Sequence, residues 1–487
     1  MIQAQIKKIF SHALIYGVGN IVNRFLGFLL LPIYTHYYNP EQFGIFSLVY
    51  AFWFIAAVFY LFGMETAFQK FFVEAKDSDK QKKIFGSTWI LIFCSSVALS
   101  LLIYFISPAI SYILTGNSHH SHLIQLLAIL LLIDALSRFP MIILNAQERS
   151  KIYTLINVST VIVNIFFNVL FIIVYQWGIE AIFYAFIISY SYQLVISFIF
   201  CYKFFVFEFD KEQVKELTRF GITFLFYGLF LISLDLIDRF FLRFYQGEDI
   251  VGIYSACYRI GVAMNLVISG FRTAWIPFFL KLKDDENNKE IFSRIFTYFT
   301  YGGMILFLII SLFASDIVRI QIGDFSFLGQ KYWAGMSIVP YILLAYFFFG
   351  LYTNLNIASY YENKIKYLIY STLAGCVSNI IFNIILIPRI SLIGAALATL
   401  LSYYIMFIVL YYFSQKVYYI QYEWNKIVPV ILSAVTLVLV NIYSTEIFGI
   451  KNKPEYTYFL KVLSIFVLFI VLLKVKSIPP ITTEDSE

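Results

Sequence analysis

Apolar residues are arranged along this chain in long runs rather than at alternating positions. Windows of roughly 20 residues, separated by short polar or turn-rich breaks, recur as far as residue 474. Because a helix needs about 20 apolar residues to cross a bilayer, each window is predicted to be a membrane-spanning helix. Fourteen spans are predicted, near 12–35, 43–66, 84–106, 122–147, 153–175, 179–202, 218–244, 250–279, 292–313, 333–359, 367–387, 391–413, 426–447 and 456–474, with splitting or merging expected chiefly around 314–333.

Composition and charge support a polytopic membrane protein. Of the 487 residues, 61% are hydrophobic and 13% are charged, about half the charged share of a soluble domain. Of the 35 lysines and arginines, 23 lie in segments predicted to be cytoplasmic and 5 in external ones, which places both termini in the cytoplasm. The net charge of +6 therefore reflects membrane orientation rather than nucleic-acid binding. No connection is long enough for a soluble catalytic domain.

An internal repeat divides the chain. FGIFSLVY (43–50) matches VGIYSACY (251–258), and VNIFFNVLFI (163–172) matches SNIIFNIILI (378–387). The offsets of 208 and 215 residues correspond to six helices, so the two halves are predicted to insert in the same orientation. The predicted domains are two six-helix lobes, 1–210 and 211–415, and a segment 416–487 with two further helices and a cytoplasmic tail. A site is expected at the interface of the lobes, near the bilayer midplane.

Arginines inside the predicted spans are candidate anion ligands. A charge at the centre of a membrane helix costs at least about 2.5 kcal/mol, so it is expected to face protein or a wet cavity. Arg24 and Arg259 have no acid three or four residues away, and their planar guanidinium groups suit a phosphate-bearing substrate. The alternative is a salt bridge to another helix, such as the one carrying Asp238. Asn20 and Asn23 flank Arg24 and are candidates for the same cavity.

Other charges have a structural alternative on their own helix. Asp134 and Arg138 are four residues apart, so they are predicted to neutralise one another. Asp235 and Arg239 share this spacing, which leaves a structural and a substrate-binding role equally open for Arg239. Arg243 is expected to extend its head group to the interface.

The remaining candidates concern entry, coupling and movement. Arg272 lies near the cytoplasmic end of its span, where it suits either the substrate or lipid head groups. Glu65, Asp134 and Asp238 are the candidates for responding to a proton or sodium gradient or to the membrane potential. Pro32 is predicted to kink the first helix and to act as a hinge.

The other uncharged polar side chains considered are predicted to be structural. Asn164, Asn168, Asn379 and Asn383 recur at a spacing of four residues and suit hydrogen bonds between helices. The histidines of the motif SHHSH (118–122) fall in a polar external loop without a nearby carboxylate or cysteine, so no metal site is predicted.

Two motifs resemble a known family. R-x-x-G-x-x-x-x-P-x-Y followed by P-E-x-F-G (Arg24 to Gly44), and N-I-I-L-I-P…G-A-A-x-A-T-x-x-S-Y (Asn383 to Tyr403), resemble the Wzx-type polysaccharide flippases. These form the polysaccharide transporter branch of the multidrug/oligosaccharidyl-lipid/polysaccharide exporter superfamily. With the six-plus-six-plus-two pattern of spans, the resemblance covers nearly the whole chain.

The resemblance implies a V-shaped, two-lobed, all-helical fold and a transporter rather than an enzyme. It implies alternating-access export of an undecaprenyl-pyrophosphate-linked oligosaccharide across the bacterial cytoplasmic membrane, for O-antigen, capsule or exopolysaccharide synthesis. Arg24, Arg259 and Arg272 match the arginines that line a cationic cavity in related lipid II flippases. A polysaccharide polymerase and a chain-length regulator are the expected partners, the chain is expected to be a monomer, and no cofactor is expected.

Three alternatives remain open at this point. A cation-coupled multidrug exporter of the same superfamily is disfavoured, because a surplus of buried arginine repels cationic drugs. The sequence hardly distinguishes a peptidoglycan-precursor (lipid II) flippase from a polysaccharide flippase. A membrane glycosyltransferase or polymerase is disfavoured because no large loop carries paired acids.

Overall fold

The computed structural model describes residues 28–75, 77–323, 325–362, 364–447 and 454–476. Within these ranges the chain is almost entirely helical. The helices are α1 Leu31–Tyr37, α2 Pro40–Leu61, α3 Met64–Glu74, α4 Ser78–Phe105, α5 Ser107–Thr115, α6 Ser121–Ala146, α7 Ser150–Val169, α8 Glu180–Cys201, α9 Lys211–Leu236, α10 Asp238–Gln246, α11 Glu248–Gly261, α12 Ala263–Lys281, α13 Asn288–Arg319, α14 Val339–Asn354, α15 Asn356–Tyr361, α16 Lys366–Val417, α17 Trp424–Ile447 and α18 Pro454–Lys476. A π-helical turn, Leu170–Val174, extends α7, and 3₁₀ segments occupy Tyr202–Phe204 and Gln330–Ile338.

Twelve helical segments of the described chain are long and apolar enough to cross a membrane. The 52-residue α16 contains both the eleventh and the twelfth predicted spans, which meet where Ile390 and Ser391 leave helical geometry. The first predicted span, 12–35, lies mostly outside the described residues. The predicted all-helical, multi-pass membrane fold is confirmed.

The structure subdivides some of the predicted spans. The seventh span is interrupted at Ile237, between α9 and α10, and the eighth at Val262, between α11 and α12. The uncertain segment 314–333 contains the end of α13 and a small antiparallel hairpin of β1 Gln321–Ile322 and β2 Phe325–Ser326. The spans were predicted as single helices because hydropathy alone does not register a local break.

Local sequence explains where α2 begins and ends. Asn39 accepts a hydrogen bond from the Gln42 backbone, and the Gln42 side chain accepts one from the Asn39 backbone, which forms a capping box ahead of Pro40. At the other end, Phe62 and Gly63 both have positive φ angles, 32° and 78°. Because a left-handed pair ends a helix, the chain changes direction there before α3 begins.

Pro32 lies in the first turn of α1, two residues after an interruption of the helix at Leu30. Proline lacks a backbone donor and tolerates the start of a helix, which explains its place in the first turn of α1; the kink of the first span stays a prediction. The hinge role of Pro32 stays a prediction.

The backbone preserves the internal repeat. Gln176 follows the fifth predicted span with a φ of 54°, and Ser391 follows the eleventh with a φ of 47°. These residues are 215 positions apart, the offset of the asparagine motifs that precede them. Both copies therefore place a non-glycine residue with an uncommon positive φ angle at the equivalent position.

The chain packs into two compact units. The first runs up to Ala256 and also includes Asn379–Ala395; the second contains Cys257–Ser378 and the chain from Ala396 onward. Helices α9, α10 and most of α11, which belong to the second sequence repeat, therefore pack in the first compact unit. The predicted lobe boundaries at residues 210 and 415 stay a prediction.

The strained conformation of Ser391 predicts a stabilising substitution. Its φ of 47° and ψ of −125° suit glycine, and a side chain in such a region costs about 1–3 kcal/mol. We expect Ser391→Gly to raise the thermal midpoint of the full chain in detergent. Unfolding can be followed by a thiol-reactive dye, because Cys201, Cys257 and Cys376 are buried.

Ser378→Gly is the matched control, since Ser378 lies in the helical interior of α16. There glycine is expected to lower the midpoint, because it weakens a helix by roughly 0.5–1 kcal/mol. Changes of the same sign in both variants would contradict strain at Ser391.

Candidate functional site: buried charge networks

The structure places the predicted site residues in different surroundings. Asn20, Asn23 and Arg24 lie outside the described residues. Arg259, on α11, is half-buried, and Arg272, on α12, is exposed. Both belong to the second compact unit, whereas Asp238 and Arg239 belong to the first.

Arg138 is the centre of the first charge network. Its Nε and Nη2 atoms donate to the two carboxylate oxygens of Asp134 at 3.0 and 3.1 Å, and Nη1 donates to Oε1 of Glu65 at 3.2 Å. The indole N–H of Trp53 donates to Oδ2 of Asp134 at 3.3 Å. The predicted pairing of Asp134 with Arg138 is therefore present, and Glu65 and Trp53 join it from α3 and α2.

The two acids of this network differ in exposure. The Asp134 side chain is 4% exposed and contacts donors through both oxygens, whereas the Glu65 side chain is 39% exposed. The Arg138 side chain is one-third exposed. Two acids and one arginine give the network a formal charge of −1. This network therefore suits a neutral or cationic group better than a phosphate.

The second network lies on α9, α10 and α11. Nη1 of Arg239 donates to Oδ1 of Asp238 at 2.8 Å and to the main-chain carbonyl of Asp235 at 2.5 Å. The Tyr254 hydroxyl donates to Oδ2 of Asp238 at 2.5 Å, and the Arg239 guanidinium lies 5.8 Å from the Tyr254 ring centroid. Asp238 and Arg239 are both buried. An ion pair this deeply buried favours a structural role for Arg239 over the predicted contact with substrate.

Arg243 lies at the end of α10 that carries the turn to α11. Its Nε donates to Oε1 of Glu248 at 3.1 Å. Its guanidinium packs directly on Gly116, because a Cβ atom built on that glycine would lie 1.8 Å from Nη2. Arg243 thus contacts the turn after α5 in addition to its own acid, which the sequence did not predict.

The repeated asparagines form two similar pairs with different surroundings. Asn168 donates to Oδ1 of Asn164 at 2.9 Å, and Asn383 donates to Oδ1 of Asn379 at 2.8 Å. In the first copy, Asn164 also donates to Ser189 on α8 at 3.0 Å, the expected hydrogen bond between helices. In the second copy, Nδ2 of Asn379 and Oδ1 of Asn383 are buried without a hydrogen-bond partner among the described residues.

One buried cation was missed by sequence reasoning. Lys461 lies in the last predicted span and pairs with Oδ2 of Asp316 on α13 at 2.5 Å. Its ammonium group also lies 5.4 Å from the Phe313 ring and 5.2 Å from the Tyr458 ring. The signal was a lysine inside an apolar run. Its position suits attachment of α18 to α13, within the second unit.

The histidine loop shows local hydrogen bonds. The backbone of His119 donates to Oδ1 of Asn117 at 3.0 Å, and Nδ1 of His122 lies 3.3 Å from the His119 carbonyl. Burial and the neighbouring histidines lower the pKa of His120. In the part of the chain that the structure describes, no group of three or more histidine, cysteine, aspartate or glutamate side chains could hold a metal ion.

Comparison with known proteins decides the family. A family model described as "Polysaccharide biosynthesis protein" matches residues 9–283, which is more than half of the chain. The chain belongs to this polysaccharide biosynthesis protein family. The charge networks of Arg138 and Arg239 both fall within the matched segment, and the predicted resemblance to the polysaccharide transporters is confirmed.

Relatives of this family member extend the match. The chain is 22% identical over 427 residues to the capsular polysaccharide biosynthesis protein CapF of Staphylococcus aureus, covering 82% of this chain and 98% of that protein. It shares the fold of the lipid II flippase MurJ in an inward closed conformation, with a TM-score of 0.72, 17% identity and coverage of 95% and 99% of the two chains. An inward-facing MATE multidrug transporter matches with a TM-score of 0.65, 16% identity and coverage of 81% and 94%.

The Arg138 network of this polysaccharide biosynthesis family member predicts strong coupling between its charges. Asp134→Asn leaves the partly buried Arg138 guanidinium with Glu65 alone, so we expect a loss of roughly 2 kcal/mol in the free energy of unfolding, below the range for a fully buried pair. The double variant Asp134→Asn/Arg138→Gln should lose clearly less than the sum of the two single variants. Denaturant titration of the full chain in mixed micelles measures these differences.

Glu290 and Arg294 provide the control, since they form a pair at the same spacing with both side chains about 60% exposed. The equivalent substitutions there should change stability by less than about 1 kcal/mol. Additive losses at Asp134 and Arg138 would show that this pair does not hold the network together.

Proposed function

We propose that this protein is a flippase that moves a polyprenyl-pyrophosphate-linked oligosaccharide from the cytoplasmic to the outer leaflet by alternating access. One observation carries the proposal: a polysaccharide biosynthesis family member has, over 95% of its length, the fold of a lipid II flippase. The name of that neighbour gives lipid II as the molecule it moves. A polysaccharide family points instead to an oligosaccharide on the same class of lipid carrier, for capsule, O-antigen or exopolysaccharide synthesis.

Arg24, Arg259 and Arg272 are the proposed ligands of the pyrophosphate. A guanidinium stays cationic and donates paired hydrogen bonds that match phosphate oxygens. The half-buried position of Arg259 and the exposed position of Arg272 are compatible with contact to a ligand. Arg239 is no longer favoured, since a buried Asp238 compensates its charge at 2.8 Å.

Among the candidates for coupling, Glu65 is now the preferred one. The carboxylate oxygens of Asp134 and Asp238 each accept from arginine and from an aromatic donor. Glu65 is 39% exposed and contacts Arg138 through one oxygen. It can therefore gain a proton or a cation without breaking the Asp134–Arg138 pair.

The proposal places the protein in the bacterial cytoplasmic membrane with both termini inside, as the distribution of basic residues predicts. It acts as a monomer without a cofactor, surrounded by membrane lipid. A polymerase and a chain-length regulator would use the exported units.

A cation-coupled multidrug exporter is the second candidate, because the MATE transporters share the fold with a TM-score of 0.65. Under this alternative the net negative Arg138 network would face a cationic drug. The two candidates differ in the charge of the cargo, so one experiment separates them.

The sidedness of lipid-linked oligosaccharide in cells tests the flippase. In a strain without this protein and without a redundant flippase, we expect the precursor to accumulate in the inner leaflet and surface glycan to disappear. Wild type should restore both, whereas Arg259→Gln should restore less than a tenth of the surface glycan, because the site loses a paired phosphate donor. Quantitative glycan labelling and precursor accessibility measure the two effects.

Arg294→Gln is the matched control, because Arg294 is an exposed arginine paired with Glu290 at the helix surface. It should restore glycan as wild type does. Normal surface glycan in the deletion strain, together with increased sensitivity to cationic drugs, would contradict the flippase proposal and support the multidrug exporter.

A further inference from the structure

Helices α2 and α11 touch through their backbones at repeat-equivalent glycines. A Cβ atom built on Gly44 would lie 1.9 Å from the carbonyl oxygen of Glu248, and one built on Gly252 would lie 1.8 Å from that of Pro40. Each glycine thus faces the residue four positions before the other glycine. Gly44 and Gly252 are 208 residues apart, the offset of the repeat, so the contact is nearly symmetric. We name this contact between α2 and α11 the outer seam, because the predicted orientation places it on the external side of the membrane.

A second backbone contact occurs at the other end of α2. A Cβ atom on Gly63 would lie 1.9 Å from the carbonyl oxygen of Gly221 on α9, and one on Gly221 would lie 3.0 Å from the carbonyl carbon of Gly63. Gly63 follows Gly44 by 19 residues, or about 28 Å of helix, close to the hydrocarbon thickness of a bilayer. We name this contact the inner seam. All four glycines belong to the first compact unit.

One basic side chain reinforces each seam. At the outer seam, Arg243 of the second repeat packs on Gly116 of the first. At the inner seam, the Lys70 ammonium of the first repeat lies 4.3 Å from the ring centroid of Phe220 of the second. Arg243 also binds Glu248, the residue whose carbonyl faces Gly44.

Unlike the seams, which join one repeat to the other, each charge network lies within a single repeat. The Arg138 network joins α2, α3 and α6, all of the first repeat. The Arg239 network joins α9, α10 and α11, all of the second. Among the described residues, each charge network therefore lies within one repeat, whereas the glycine contacts, with Arg243 and Lys70 beside them, connect one repeat with the other.

We propose that the outer and inner seams are the two gates of this protein, and that they open alternately during transport. Neither glycine of a seam has a side chain at the point of contact, so the helices can separate and meet again with little repacking there. Both seams are closed in the structure. The proposal rests on the proposed function for its alternating access, and it assigns the residues at which access is controlled.

Alanine substitutions at the two seams should act in opposite directions. Gly44→Ala and Gly252→Ala place a methyl group against a carbonyl oxygen and should favour opening at the outer seam. Gly221→Ala should favour opening at the inner seam. Hydrogen–deuterium exchange of the full chain in lipid nanodiscs measures both, because separated helix ends lose protection. We expect exchange to be at least roughly threefold faster in peptides of the affected seam and unchanged in peptides of the other seam.

Two further variants test the gates without a steric clash. Arg243→Gln should accelerate exchange at the outer seam only, and Lys70→Gln at the inner seam only. Gly302→Ala is the control, because a Cβ atom there has no atom within 4 Å outside its own helix. It should leave exchange at both seams unchanged.

The possible outcomes test the gate proposal separately from the proposed substrate. Acceleration confined to the predicted seam in each variant supports the proposal even in a protein that moves no lipid-linked oligosaccharide. Equal acceleration at both seams, or the same pattern in all variants, would overturn it, because the glycines would then stabilise the fold without controlling access. The exchange measurement needs no substrate, so it stands independently of the flippase experiment.

Discussion

Compensation of charge inside the hydrocarbon layer determines how the first unit is assembled. An uncompensated guanidinium within a membrane helix costs several kcal/mol, so Arg138 needs acids within hydrogen-bonding distance. It takes Asp134 from its own helix and Glu65 from α3, and Trp53 of α2 completes the cluster through Asp134. The apolar contacts around these helices are weak guides to register, because lipid tails are as apolar as leucine. The polar cluster supplies that register.

The repeat shows which features survive duplication. The left-handed residues Gln176 and Ser391 and the hydrogen-bonded asparagine pairs occur at the same offset in both copies. Their surroundings differ: Asn168 accepts from Tyr34 at 2.9 Å, whereas the equivalent oxygen of Asn383 is buried without a hydrogen-bond partner among the described residues. Backbone geometry is fixed by short-range constraints and is retained. Side-chain partners come from other helices and change independently in each copy.

The sequence predicts what depends on the bilayer and on helix geometry. The span expected at 122–147 is the helix Ser121–Ala146, because hydrocarbon thickness sets the length of the apolar window. The Asp134–Arg138 pair follows from a spacing of four residues. By contrast, Glu65 reaches Arg138 across 73 positions, a contact that depends on tertiary packing, and Arg239 binds the adjacent Asp238 just after the helix break at Ile237. The roles of Arg24, Arg259 and Arg272 remain predictions for the same reason.

Ion pairs and glycine contacts differ in what their separation requires. Pulling Arg138 away from Asp134 would leave the buried Asp134 carboxylate without its cation, at a cost of several kcal/mol. Separating Gly44 from Glu248 loses close backbone packing, in which each pair of heavy atoms contributes only about 0.1–0.2 kcal/mol. Both helices keep their own hydrogen bonds in either state. The proposed alternating access needs the two repeats to move against each other, and such movement favours charges kept within each repeat and glycine contacts between the repeats, as found in α2, α9 and α11.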